Sequence, residues 1–449
     1  MPISTFFGLQ TSLSGILSHQ RALDTTGHNV SNANTVGYSR QEAVMGARDP
    51  MLVPAGAKLD GSGGQLGAGV GVVDYRRIRD AFLDVQFRAQ NGVLGEASTM
   101  ARSLEGVDLA LGEPGDTGIA NQLSEMWKAW QNASLDPNST AARQALVEKA
   151  KTVANAFGEL DRQLATLQGN AQGELDTIMA ANGDISQIAK QLDSLGRAIR
   201  SAYTAGQAPN DLLDQRDALI DKLSGFGNTT VVDLGDGGVR VLFGNTGTPL
   251  VDDHAVDPAP HVVWPQTLTD PGGKIGALQN LASPTGSIGS YRTELGTVAQ
   301  TLANQVNAIH QQGQSPINFF NFDPTLGAQG LTVAVTSSTV QLGRTGAAED
   351  NDLAREIAAL RDGVVDDSYN ALVTRVGAEI NQVNRTQANA EVLTSAVEDR
   401  RQSTSGVSLD EEMTNLIRFQ RGYQASARTM STLDEMLDTL INRTGRVGL

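Results

Sequence analysis

Apolar side chains recur every seven residues at both ends of this chain. Leu9, Ile16, Leu23 and Val30 mark the first run, with Phe6 and Leu13 interleaved; Leu409, Leu416, Tyr423, Met430 and Leu437 mark the second, with Met413 and Ile441 interleaved. This four-then-three alternation is the spacing of a helix seam packed on another helix. Gln20 and Gly27 fall on the rhythm of the first run, and Gln420, Ala427 and Asp434 on that of the second. Polar residues at such positions cost stability and fix register and partner number. A lone helix of this length is marginal in water, so each stripe needs a surface to cover it. Two similar stripes at opposite ends of the sequence predict that the ends pair with each other.

The first helix is expected over residues 4–29, ended by the cap and turn residues between His28 and Asn34. Gly37, Tyr38, Pro50 and Pro54 lead into a glycine-rich stretch, 61–71, read as a flexible or hairpin-forming loop because no strand-to-helix unit of a dinucleotide site precedes it. Residues 75–224 read as helical, broken at Gly112-Glu113-Pro114-Gly115 and at Asp136-Pro137. Leu160, Leu164, Leu167, Ala171, Ile178, Ile185, Ile188, Leu192 and Ile199 then carry one long seam. Gly173 and Gly183 cost that seam ~1 kcal/mol each, and each buried Leu or Ile returns about 1.5–3 kcal/mol.

From residue 229 the pattern changes. Thr230-Val231-Val232-Asp233-Leu234 and Val239-Arg240-Val241-Leu242-Phe243 flank Gly235-Asp236-Gly237-Gly238, a strand, turn and strand. Residues 261–264 and 331–335 read as further strands, with a helix over 290–311 between them. Beyond residue 350, Val376, Ile380, Val383, Ala390 and Val397 restore the helical rhythm. The expected fold is mainly α with an inserted β-rich domain: a long coiled-coil-like bundle with N- and C-terminal helices paired. Terminal axial helices would occupy 1–74 and 401–449, a helical bundle 75–228 and 350–400, and a β-rich outer domain 229–349. The palindromic order brings both termini to one end and the middle of the sequence to the other.

Composition narrows the function. Aromatics are only 4% of 449 residues, which favours helices packed side by side over one large globular core. A net charge of −16 speaks against nucleic acid, since phosphate binding needs a concentrated basic surface. The densest basic stretch, Arg76, Arg77 and Arg79, alternates with Asp74 and Asp80 and reads as a solvated helix face. Cysteine is absent, so there is neither a disulfide scaffold nor thiol chemistry. Residues 1–20 hold no Lys or Arg and no continuous apolar run, unlike a cleaved signal peptide, and no stretch is apolar enough to span a bilayer. The five histidines are scattered; His254 and His261 with Asp252 or Asp253 lack metal-ligand spacing, and Asp233, Asp236 and Gly237 lack the alternating carboxylates of a calcium loop. With no nucleophile elbow or phosphate loop either, no enzyme activity, cofactor or metal is expected.

Two motifs carry a resemblance. The segment from His28 through Asn29, Val30, Ser31, Asn32, Ala33, Asn34, Thr35, Val36, Gly37 and Tyr38 to Ser39-Arg40-Gln41 resembles the signature after the first helix of bacterial flagellar axial proteins, the rod, hook and hook-associated subunits. Ser405-Gly406-Val407-Ser408-Leu409-Asp410-Glu411-Glu412, followed by Leu416, Phe419 and Tyr423, is similar to the C-terminal helix of the same family; Ser408 and Glu411 form a capping-box pattern there. The stretches Ala141-Ala142-Arg143-Gln144-Ala145-Leu146 and Pro209-Asn210-Asp211-Leu212-Leu213-Asp214-Gln215-Arg216-Asp217 resemble the junction proteins between hook and filament. That resemblance implies a structural adaptor of the flagellum, outside the cell, exported by the flagellar type III route without signal cleavage. Its implied partners are hook protein, the second junction protein, copies of itself in a ring, and a cytoplasmic export chaperone at the C-terminal helix. The assembly interface would be Leu9, Leu13, Ile16, Leu23, Val30, Leu409, Met413, Leu416, Tyr423, Met430, Leu437 and Ile441, and the family signature Asn29, Ser31, Asn32, Asn34, Gly37 and Tyr38. A hook, rod or second junction subunit, or a secreted coiled-coil adhesin or effector, is the alternative.

Overall fold

A computed structural model describes residues 6–53, 64–255, 260–347 and 349–443. The chain opens with helix α1 (Phe7–Asn32). It runs past the expected end at residue 29, because Ser31 and Asn32 turn their side chains back to the carbonyls of Gly27 and His28 rather than breaking the helix. Strands β1 (Gln41–Ala47) and β4 (Val70–Arg77) pair antiparallel, with β2 (Met51–Val53) and β3 (Gly64–Leu66) pairing between them. In the described part of the glycine-rich stretch, 64–66 lie in β3 and 70–71 in β4, joined through 67–69; residues 54–63 lie outside the described residues. Strand β4 occupies positions expected to be helical from residue 75.

Helix α2 (Ala81–Leu111) begins only after Asp80, whose carboxylate accepts the Phe82 amide as an N-cap. Helices α3 (Ile119–Leu135), α4 (Thr140–Met179), α5 (Asp184–Thr204) and α6 (Asn210–Phe226) follow. The expected seam over 160–202 is therefore two helices with a turn between α4 and α5. Gly183 is a requirement of that turn: a Cβ there would lie 2.4 Å from the Thr177 carbonyl oxygen.

Strands β5 (Thr229–Asp233), β6 (Val239–Phe243) and β7 (Pro249–Asp252) form an antiparallel sheet. Asp233 and Asp236 accept the amides of Gly235 and Gly238, so the expected hairpin turn is present and these carboxylates serve it. The strand expected over 261–264 is reduced to one bridge, Val251 to Val262, since Pro265 has no N–H to continue the pairing. Helices α7 (Gly273–Ala282) and α8 (Ser287–His310) follow, then the paired short strands β8 (Phe320–Phe322) and β9 (Leu331–Val333), α9 (Asp352–Ala358), α10 (Val364–Ser405) and α11 (Leu409–Asp438).

The architecture is mainly α with small inserted sheets and long terminal helices. One apolar core runs from Leu104 on α2 to Val376 on α10, filled by Trp127, Trp130, Phe157, Phe243, Tyr291 and Tyr369. Residues 229–349 share it, because α7 packs on α2 and α4 while α8 packs on α4 and α10. Among the described residues, no member of this core lies on α1, β1–β4 or α11. Those elements form a terminal unit that must be held by other means.

Candidate assembly surface

Helices α1 and α11 pack antiparallel in one constant register. A Cβ added to Gly8 would meet Leu433 at 3.0 Å, one on Gly15 would meet the Ser426 hydroxyl at 2.7 Å, and one on Gly422 would meet the His19 ring at 2.5 Å. At the far end the Asn29 amide donates to Glu412 at 3.0 Å. The α1 side of this contact follows the four-three rhythm through Gly8, Ser12, Gly15, His19, Ala22, Thr26 and Asn29. The intrachain seam is therefore built from small and polar residues and sits one residue out of step with the apolar heptads. Small residues let the two backbones approach closely. The ordering of α1 rests on that fit, and on the β1–β4 hairpin at its other flank, where the Val70 amide donates to the Ser14 hydroxyl and the Ser18 hydroxyl donates to the Val70 carbonyl. His19 is partly desolvated in the seam, which lowers its pKa and favours the neutral ring.

The predicted stripe is only partly covered. Leu13 is 43% exposed, Leu409 54%, Met413 53%, Tyr423 38% and Ile441 69%; Leu9, Ile16, Leu23, Val30, Leu416, Met430 and Leu437 are half-buried. At about 100° per residue the stripe lies roughly 70–90° round from the seam on each helix. Because the helices are antiparallel, these equal rotations bring both stripes to the same side of the pair. The hairpin packs on the opposite side of α1. The terminal unit thus carries one continuous open apolar face.

The signature residues fasten this unit to itself and to the body. Asn29, 1% exposed, is the hub. Its amide donates to the Gln41 carbonyl (2.8 Å) and to Glu412, while its oxygen accepts the Gln41 amide (3.0 Å) and the Tyr38 hydroxyl (2.8 Å). Helix α1, strand β1 and helix α11 therefore meet on one side chain. Arg40 completes the contact, its Nε 2.7 Å from Glu412 and its Nη1 2.9 Å from Glu411. Ser408 caps α11 through the Glu411 amide, as the capping-box pattern predicts. Gly37 sits at φ +80°, a left-handed turn that glycine adopts freely, and faces Ala218. Asn32 receives the Thr35 hydroxyl, whereas Ser31 and Asn34 are exposed. Burial, and then the charges of Asp211, Asp214 and Glu412, hold the Tyr38 phenol protonated well above its ordinary range.

Below the signature lies a buried ionic joint that sequence reading misassigned. Arg77 and Arg79 are not on a solvated helix face: their side chains are 16% and 11% exposed. Arg77 reaches Asp214 (3.0 Å) and Asp217 (2.8 Å) on α6, Arg79 reaches Asp84 (2.7 Å), and Arg88 reaches Asp221 (2.7 Å). Arg401 at the end of α10 contacts Asp84 and Asp221 and lies over the Phe87 ring at 4.4 Å. Only Arg76 is solvated, paired with Glu42. Burial opposes the charged form of Asp217, but Arg79, Arg77, Arg216 and Arg88 outweigh it and hold its pKa below the usual carboxylate value. Burial dominates at Asp214 and raises its pKa. The backbone joins in: the Ser39 amide donates to Asp214 and the Asn210 side chain to the Tyr75 carbonyl. The 209–217 stretch singled out in the sequence is therefore the socket into which β4 and the signature loop plug. No sequence signal links Arg77 to partners some 140 residues away.

The remaining chemistry is local. His254 pairs with Asp236, His261 contacts the Asp252 carbonyl, and His310 bridges the Ile317 carbonyl and the Gln341 amide inside the fold.

Family models place these features. Residues 9–38 match the model described as flagella basal body rod protein, and 398–443 match the C-terminal model of the flagellar basal body rod proteins, so both ends of the chain are of the flagellar axial class. Residues 104–318 match the helical domain of flagellar hook-associated protein FlgK. Flagellar hook-associated protein 1 of Bacillus subtilis is 32% identical, covering 98% of this chain and 99% of the relative. The Salmonella typhimurium protein of the same name is 24% identical over 96% of this chain and 98% of its own length. A flagellar hook protein of Borreliella burgdorferi is 23% identical over 96% and 98%. The structure of the flagellar hook junction protein from Burkholderia pseudomallei aligns with TM-score 0.46 and 24% identity, covering 53% of this chain and 47% of that one. The chain belongs to the flagellar hook-associated protein 1 family.

Proposed function

We propose that this chain is the structural adaptor joining hook to filament in the bacterial flagellum, acting outside the cell without catalysing a reaction. One observation carries the reading: the α1–α11 pair closes on its own through small residues and leaves its leucine-rich heptads on one open face. Apolar surface retained at that spacing is surface for other helices. Copies of the chain arranged in a ring would bury it against one another and against hook protein on one side and the second junction protein on the other. Burial of each exposed Leu, Met or Tyr there would contribute about 1–2 kcal/mol, which offsets the ordering of the terminal unit. Before assembly the same face on α11 is a helix surface with regular apolar anchors, suited to the groove of an export chaperone that keeps it from aggregating. Export then proceeds by the flagellar route without signal cleavage.

A hook or rod subunit is the competing reading. Higher identity to the junction relatives than to the hook protein, and the helical-domain match, favour the adaptor. Deleting the gene and imaging the cells tests it: intact hooks bare of filaments, with flagellin released into the medium and attachment restored by the full chain, is the expected result. Attached filaments in the deletion strain, or absent hooks, would contradict it.

A further inference from the structure

The charges of α11 fall into three bands. Asp410, Glu411 and Glu412 open the helix, Arg418, Arg421 and Arg428 occupy its middle, and Asp434, Glu435 and Asp438 close it. The opening band is engaged within the chain, since Glu411 and Glu412 hold Arg40. The other two are not matched. All six side chains are exposed, and among the described residues no ion pair joins any of them to a partner. Elsewhere the helices pair such charges at close spacing, as in Arg162 with Glu159 and Arg401 with Glu398. On α11 the arginines stand at least six positions from any acid, beyond the reach of an i,i+3 or i,i+4 pair. Arg418 instead lies over Phe419, 4.7 Å from the ring centre.

The bands also face different ways. At about 100° per residue, measured from the seam with α1, the basic band lies roughly 130° round on the hairpin side and the acidic band roughly 130° round on the open apolar side. A surface that is basic on one flank and acidic on the other would set like charges together in a two-fold contact made through either flank alone. It fits a head-to-tail contact, in which the flank of one copy meets the opposite flank of the next. We infer that a second copy of this chain docks the acidic flank of its α11, at Asp434, Glu435 and Asp438, on the basic flank of α11, at Arg418, Arg421 and Arg428. The two copies are displaced along the helix by about 13 residues, or ~20 Å at 1.5 Å per residue. The displacement means that the ring climbs, each subunit seated higher than its neighbour. Charge sets the stagger and the apolar stripe supplies the contact area, a division of roles in which ionic complementarity fixes register.

The inference rests on the reading of the chain as a self-assembling flagellar subunit. Absence of cysteine makes it directly testable. Two single-cysteine versions of the full chain, Ala425→Cys on the basic flank and Asp438→Cys on the acidic flank, are produced together in cells lacking the native gene. Flagella are purified and treated with a short thiol-to-thiol cross-linker. A covalent dimer of the chain is expected from the mixture and from neither version alone. Dimers of one version alone, a link to another flagellar protein, or no dimer while both versions are present at the hook–filament junction, would overturn the stagger. Absence of the chain from the junction would instead overturn the functional reading. In a second measurement, reversing the three arginines to glutamate should lower filament attachment about tenfold, and reversing Asp434, Glu435 and Asp438 to lysine in the same chain should restore it. Failure of restoration counts against the pairing.

Discussion

Asn29→Ala tests how the terminal unit is held together. The Asn29 amide is buried and fully used: it exchanges two hydrogen bonds with the Gln41 backbone and one each with Tyr38 and Glu412. Alanine removes all four. Tyr38 keeps His28 at 3.1 Å and Glu412 keeps Arg40, so those two partners are not stranded. The Gln41 N–H and C=O are, and each buried backbone group left unpaired costs about 1–3 kcal/mol. The expected loss is ~2–6 kcal/mol, confined to α1, β1 and the start of α11, because the main core excludes those elements. Asn29→Asp should be worse at neutral pH, since it places a second carboxylate about 3 Å from Glu412, and should partly recover in acid as the pair takes up a proton. Amide hydrogen exchange resolved by segment is the assay. Faster exchange in α1 and β1, with α3, α4 and α8 unchanged, is predicted; unchanged protection of α1 in Asn29→Ala would refute the hub.

Three other substitutions separate seam, stripe and joint. Gly15→Leu should force α1 off α11, because even a Cβ there meets Ser426; protease sensitivity of α1 in the free chain would rise, and an unchanged digestion pattern would count against the seam. Leu13→Glu and Tyr423→Glu, on the open face, should leave thermal unfolding within about 0.5 kcal/mol of the parent yet abolish filament attachment. Normal swimming would contradict the role of the stripe. Asp217→Asn leaves Arg77, Arg79 and Arg88 around a neutral amide and should cost ~3–5 kcal/mol, the penalty for breaking a buried ionic network from one side. Because folding lowers the Asp217 pKa, its contribution is present above the unfolded value near ~3.9 and is lost as pH falls through the folded one. The variant's stability should therefore fall less steeply below about pH 4 than that of the parent.

Periodicity made the terminal helices, α8, α10 and the β5–β6 hairpin legible, because each presents a regular apolar face within a few turns. The same reasoning placed the seam one residue out of step. Hydrophobicity marks Leu9, Leu13 and Ile16, and nothing marks Gly8, Ser12 and Gly15, whose value lies in the side chain they lack. A helix that must pack twice, once within the chain and once beyond it, carries two rhythms, and only the oily one stands out. Arg77 and Arg79 were misread for a different reason. Alternation with aspartate reads as solvation when the neighbours in sequence are all that can be seen, whereas their charges are matched by α6, far along the chain. The turn between α4 and α5 escaped because Gly183 looks like a tolerated weakness inside an unbroken heptad pattern. The signature was recognisable through resemblance, but the reason for its asparagine became clear only when Gln41, Tyr38 and Glu412 were found around it.

The central claim is that the α1–α11 seam is complete in the single chain while the apolar stripe beside it waits for neighbours. Hydroxyl-radical footprinting of Leu13, Met413 and Tyr423, compared between the free chain and purified flagella, tests this most directly. The account predicts heavy labelling of all three in the free chain and strong protection in flagella, with Leu433 in the seam weakly labelled in both. Equal labelling of the stripe in the two states, or a stripe already protected in the free chain, would contradict it.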